Sequence, residues 1–238
     1  MAPSDPLLER WLALWRRLGA GGDDLAETGK GIIAAYEGAG RFYHSRKHLE
    51  DVLDKLDWAK TALADAGDLK DVPLPERAPM FDAIELALWY HDVVYDPKAK
   101  DNEAKSRDRF LADAARYGVP EAIRTDVARM IDVTASHKTA SRLPEKILCD
   151  CDLSILGAPQ EQFSEYDANI RKEYAHVPEP LYKSARRHVL GGFLKQKPIF
   201  KTRAFQNKCE AQARDNLEGA ARPLVARLKS WFRGPAPP

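Results

Sequence analysis

Residues 80–95 read MFDAIELALWYHDVVY, the most apolar stretch of the chain. Apolar side chains fall on every side of a 3.6-residue period, which predicts a central helix buried on most sides. Val93, Val94 and Tyr95 have strand character, but three residues are too few to outweigh the helical run before them. Asp96-Pro97 then breaks the helix. His91 and Asp92 lie near the C-terminal end of this buried segment. A charged aspartate there is costly unless it is paired or bound to a metal.

Outward from this segment the apolar spacing is helical nearly everywhere. Leu8, Trp11, Leu12, Trp15 and Leu18 form one stripe, closed by Gly19, Gly21 and Gly22. The two tryptophans on it read as core rather than as a partner surface. A helix over 24–37 stops at Gly38 and Gly40. The next begins near Ser45, a good N-cap, and carries Leu49, Val52, Leu53 and Leu56 inward. Residues 66–79 hold Pro73, Pro75 and Pro79 among charges and read as a loop. Beyond the His-Asp doublet, Asp101-Asn102 starts a helix with Phe110, Leu111 and Ala114, and Ile123, Val127, Met130, Ile131 and Thr134 form another, with His137 continuing their spacing. A helix from Pro144 carries Ile147, Leu148, Cys151, Ile155 and Leu156. Phe163, Tyr166, Ile170 and Tyr174 are periodic in turn. Further helices fit 180–196 and 202–229, and the tail at 234–238 reads as frayed. With no internal repeat and no composition shift, residues 1–238 are expected to form a single all-α domain, a bundle of roughly eight to ten helices.

The bulk composition narrows the function. An apolar share of 44% supplies a real core, and a formal net charge of +1 gives no bulk drive toward nucleic acid or anionic lipid. The aromatic residues fall on core stripes rather than interleaving with a basic run, so no nucleic-acid polymer is expected as a partner. The three cysteines, two of them spaced C-x-C, read as reduced core thiols. No run of 18 apolar residues is present, and the first residues lack a basic start followed by an apolar stretch. No membrane association is expected, and a cytoplasmic setting is. A homodimer is compatible with all of this.

Three predicted helices each bring metal-type ligands toward the interior. His48 lies on the helix begun at Ser45, with Val52 one turn later. His91-Asp92 ends the apolar helix. Asp152 sits between Cys151 and Leu153 on an apolar face. Asp150 points about 200° away from Asp152 on a helix, so only one of the two can face a common ligand, and Asp150 reads as solvated or as a supporting residue. A mixed His/carboxylate set suits one divalent transition metal (Mn, Fe, Co, Ni or Zn) and leaves positions for water and substrate.

The order His48, His91-Asp92, Asp152, all on helices, resembles the HD superfamily of metal-dependent phosphohydrolases. More narrowly the chain is similar to an uncharacterised bacterial HD subfamily. The similarity rests on Arg41-Phe42-Tyr43-His44-Ser45-Arg46-Lys47-His48, His91-Asp92-Val93-Val94-Tyr95-Asp96, Asn102-Glu103-Ala104-Lys105-Ser106, Asp150-Cys151-Asp152-Leu153-Ser154-Ile155-Leu156-Gly157 and Ile170-Arg171-Lys172-Glu173-Tyr174. It covers about residues 30–220. The resemblance implies an HD-domain helical bundle, His48, His91, Asp92 and Asp152 as ligands of one metal, and a small phosphorylated metabolite or nucleotide as substrate. His137 is the only histidine between the doublet and the last aspartate, which leaves a two-metal site short of ligands.

For acid/base work the sequence offers Glu103, behind the doublet at the start of the next helix, with Asp96 as its rival. Some stringent-nucleotide hydrolases of the superfamily carry an acidic pair near that position. Here it is Tyr95-Asp96, with one acid missing. Candidate contacts to an anionic substrate are Arg41, Lys47, Arg107 and Arg171, together with His44 and His137. The alternatives of a different class are a di-iron HD oxygenase and a nucleotide-binding HD module without turnover.

Overall fold

The structure is a computed structural model that describes residues 5–221. Ten α-helices follow one another: α1 Pro6–Arg17, α2 Leu25–Tyr36, α3 Arg46–Asp65, α4 Leu74–Tyr90, α5 Asn102–Arg116, α6 Glu121–Thr134, α7 Leu143–Asp152, α8 Gln160–Glu173, α9 Glu179–Leu194 and α10 Arg203–Ala221. A 3-10 turn, Leu153–Gly157, joins α7 to α8. No strand occurs among the described residues, so the all-α expectation holds. The end of the helix expected over 202–229 and the tail at 234–238 lie outside the described residues.

The apolar segment is the hub of the bundle. Phe81, Ile84, Leu86, Ala87, Leu88, Trp89 and Tyr90 are all buried on α4, which packs on α1, α3, α5, α6 and α7. Each large apolar side chain buried this way contributes about 1.5–3 kcal/mol. Trp11 and Trp15 are fully buried, and the Trp11 ring meets Trp89 edge-on at 5.2 Å. The one buried acid on α4, Glu85, is neutralised by Arg10, whose Nε donates to it at 2.8 Å. That pair ties α1 to α4.

α4 starts at Leu74, inside the stretch read as loop over 66–79. The prolines there mislead. Pro75 occupies the first turn, where a backbone N–H has no intrahelical partner to lose. Pro79 lies further inside and costs the helix one bond, which the buried C-terminal half outweighs. A second difference lies at α7. Its α-helix ends at Asp152, and Ile155 and Leu156 sit on the 3-10 turn. His137 also leaves the helical spacing: α6 ends at Thr134 and His137 has a positive φ of 57°.

The C-terminal carbonyls of α4 find unusual partners. The His91 ring meets Leu88 O at 2.8 Å through Nδ1, Tyr36 donates its hydroxyl to Trp89 O at 3.1 Å, and Val93 N donates to Tyr90 O at 3.1 Å. Arg41 donates to Asp92 O and Val93 O at 2.7 and 2.8 Å. These bonds satisfy groups a helix end otherwise leaves open, and they fix the doublet's backbone.

Candidate metal centre

α3, α4 and α7 converge at their ligand-bearing ends. His48 Nε2 and His91 Nε2 lie 3.1 Å apart. Asp152 Oδ1 is 3.4 Å from His48 Nε2 and 3.6 Å from His91 Nε2. Asp92 Oδ2 lies 3.4 and 3.1 Å from the same two nitrogens. One atom each from His48, His91 and Asp152 falls within 4.8 Å of the others, a buried group that can hold a metal ion.

The spacing and the chemistry fit a metal. Ligands at about 2.0–2.1 Å from one ion stand about 3.0 Å apart at right angles and about 3.4 Å apart in a tetrahedron. The separations here, 3.1 to 3.6 Å, lie close to that range. His91 gives its Nδ1–H to Leu88 O, so the neutral ring turns the lone pair of its Nε2 toward the cluster. Two ring nitrogens at 3.1 Å beside two carboxylates form a site that attracts positive charge. Burial would raise the Asp92 carboxyl, yet the His91 and His44 rings hold it well below the usual range. Burial likewise opposes charge on Asp152, and His137 and His91 hold it low. In return burial, which alone would lower it, loses to Asp92, and His91 is pushed well above its ordinary value. His137 Nε2 meets the other Asp152 oxygen, Oδ2, at 2.7 Å and orients that carboxylate.

The cluster has two edges. The histidines are sealed, with 2% and 1% of the His48 and His91 side chains exposed. Asp92, Asp152, His137 and His44 keep 15%, 13%, 16% and 20%. The carboxylate edge therefore faces solvent. A cleft of about 490 Å³ runs beside it, with His48, Asp152, Tyr43, Tyr166, Lys47 and Lys55 in its walls.

The sequence-derived candidates separate sharply. His48, His91, Asp92 and Asp152 come together. Arg41 is spent on backbone carbonyls, as above. Arg107 pairs with Asp108 and Asp132 at 2.8 Å each, and Arg171 with Glu179 and the carbonyls of Tyr174 and Val177. Lys47 lines the cleft but is bound to Asp51. Asp96 is exposed, and its carboxylate accepts from Lys98 N at 2.9 Å within its own loop. Glu103 is half-buried at the start of α5, near enough to bear electrostatically on Tyr174. Asp150, read as solvated or supporting, is fully buried and accepts from Lys201 N, Thr202 N and Thr202 Oγ1, each at 2.8 Å. It anchors the start of α10, and burial pushes its carboxyl up to about 6.

Two residues went unassigned in the sequence. Lys55 lies seven residues after His48 on α3, lines the cleft, and has no ion pair among the described residues, only the Trp58 ring at 5.7 Å. Its helical register with His48 was the available signal. Glu173, at the end of α8, is fully buried and receives five hydrogen bonds. Phe42 N, Tyr43 N and His44 N donate to Oε1 at 2.9, 2.7 and 2.9 Å, and Tyr95 OH donates to Oε2 at 2.8 Å. His44 Nδ1 meets Oε2 at 2.8 Å. Burial would raise Glu173, but His44 and the amides hold it at about 2.

No protein-family model, curated protein or solved structure matches this chain. Among the described residues no helix is long and apolar enough to cross a membrane.

Proposed function

We propose that this chain is a metal-dependent phosphohydrolase of the HD superfamily, acting on a small phosphorylated metabolite or nucleotide. The observation that carries the reading is the convergence of His48, His91, Asp92 and Asp152 from three helices, with a sealed histidine edge and an open carboxylate edge beside a cleft. His48, His91, Asp92 and Asp152 would hold one divalent transition metal (Mn, Fe, Co, Ni or Zn), which supplies Lewis acidity for hydrolysis by lowering the pKa of water and polarising a phosphoryl oxygen.

The chain's own residues supply the rest. Leu88 O and His137 hold His91 and Asp152 in their ligand orientations. Lys55 offers an ammonium, unpaired among the described residues, to the anionic substrate in the cleft. Tyr43 and Tyr166 wall the cleft. Of the two candidate acids, Asp96 is committed to its own loop, which leaves Glu103 as the candidate to take a proton.

The test is metal content by mass spectrometry for wild type and Asp152→Ala, followed by a phosphate-release screen with the metal found. About one transition metal per wild-type chain, lost in the variant, with phosphate released from a nucleotide or sugar phosphate, is expected. Metal-free protein after reloading, or bound metal with no hydrolysis of any ester, would refute the reading.

A further inference from the structure

We propose that Glu173 is a positioning residue that holds the His44 ring so that its Nε2 meets the phosphoryl group of a bound phosphate. The inference rests on the phosphohydrolase reading for the identity of the ligand.

The loop before α3 and the end of α8 are about 130 residues apart in the chain, and they meet through one buried carboxylate. Glu173 Oε1 gathers the three successive amides of Phe42, Tyr43 and His44. That binding fixes the backbone of the loop. Its Oε2 takes Tyr95 OH and the His44 ring at 2.8 Å each. The Tyr95 ring also stacks on His44, with centroids 4.1 Å apart and planes 28° from parallel. Backbone, ring plane and one ring nitrogen of His44 are thus all set by two residues. A helix-terminal histidine at the surface needs none of these restraints to pack.

Because Glu173 is ionised, Nδ1 is the donor of the His44–Glu173 bond. Only Nε2 is left for a ligand, and no described residue occupies it. His44, like Asp92, Asp152 and His137, keeps part of its side chain open to solvent. Its edge meets His48 with centroids 5.8 Å apart, so it stands beside the ligand cluster without joining it. A buried carboxylate that fixes the tautomer and aim of a histidine is how a ring nitrogen is held at hydrogen-bond distance of a reacting group. Of the arginines the sequence offered for an anion, Arg41, Arg107 and Arg171 are bound elsewhere.

The test combines nitrogen-15 NMR of the His44 ring, inorganic phosphate as the probe, and steady-state phosphate release, on wild type, Glu173→Gln, Tyr95→Phe and His44→Gln. Wild type should show a protonated Nδ1 and a Nε2 resonance that moves on adding phosphate. Glu173→Gln should scramble the ring's tautomer and lower kcat about 10–100-fold with a smaller change in KM, as loss of a supporting carboxylate does elsewhere. Tyr95→Phe, which leaves the loop amides bound, should fall between the two and guards against a Glu173→Gln chain that fails to fold. His44→Gln should lose kcat with the metal content intact. Wild-type kcat and KM in His44→Gln, or a Nε2 resonance indifferent to phosphate, overturns the inference while the hydrolase reading stands. A ring fixed by Glu173 and shifted by phosphate in a protein that hydrolyses no ester supports the inference and refutes the hydrolase reading alone.

Discussion

Gly157→Ala tests how tightly Asp152 is braced against the rest of the bundle. Gly157 closes the 3-10 turn that begins one residue after Asp152. A Cβ added there would sit 2.6 Å from Cys209 Cβ and 2.6 Å from Cys209 O on α10. Carbon atoms in contact prefer about 3.5–4.0 Å. The turn and α10 must therefore separate by about 1 Å, and the obstacle is backbone, which cannot rotate away. Overpacking of this kind costs about 1–3 kcal/mol. The same displacement stretches the two bonds by which Asn216 Nδ2 holds Leu156 O and Ala158 O at 2.9 and 2.8 Å. Weakening them adds about 1 kcal/mol. The expected loss is about 2–4 kcal/mol, or roughly 5–15 °C in Tm for a chain of this size. Thermal unfolding followed by circular dichroism measures it, with Gly191→Ala as the companion variant. Gly191 lies inside α9 with nothing within 4 Å of an added Cβ, so alanine there should stabilise by about 0.5–1 kcal/mol. A Gly157→Ala protein that melts within 1 °C of wild type would refute the bracing argument.

Asp150 predicts a pH dependence of stability. Its folded carboxyl is pushed up to about 6 from 3.8 by burial, so the folded state binds its proton more tightly than the unfolded chain. The contribution is complete below about pH 4 and lost as the pH rises through 6. The wild-type stability minus that of Asp150→Asn should fall by about 2.4 kcal/mol between pH 4 and 7 in urea titrations. A difference flat with pH would contradict the burial argument. His137→Ala removes the group that orients Asp152 and should weaken metal binding about 10–100-fold in calorimetric titration without changing its stoichiometry. Unchanged affinity would mean His137 does not act through Asp152. Metal at a hundredfold over its Kd should raise stability by about 2.7 kcal/mol, and a chelator should reverse this. A Tm indifferent to both would argue against a site formed by the folded chain.

The helical class was legible because the apolar residues keep a 3.6 period nearly throughout, and Trp11, Trp15 and the 80–90 run are where the core lies. The start of α4 was not, since a proline in a helix's first turn and a proline in a loop are the same letter. The convergence of His48, His91, Asp92 and Asp152 was legible from their order in the chain and from the apolar helices that carry or precede them. The cations could not. Arg41 and Arg171 have the chemistry of an anion site, but a guanidinium binds a carbonyl as readily as a phosphate, and only the fold tells which it meets. Asp150 could be read only as solvated or supporting because its partners, Lys201 and Thr202, lie about 50 residues on. Glu173 was invisible as a working residue for the same reason. An acid at a helix end looks like a solvated charge until the loop that it collects is known.

The burial of the C-terminal half of α4 bears on how a metal would enter. A helix at the centre of a bundle is among the last elements to open in native-state hydrogen exchange, and the His91-Asp92 backbone is pinned at its end by Tyr36 and Arg41. The backbone that carries His91 and Asp92 is thus fixed by the fold itself. Loading should proceed by simple diffusion to the carboxylate edge, without the coil-to-helix transition that small zinc modules undergo. Far-ultraviolet dichroism of the metal-free and metal-loaded proteins should accordingly superimpose.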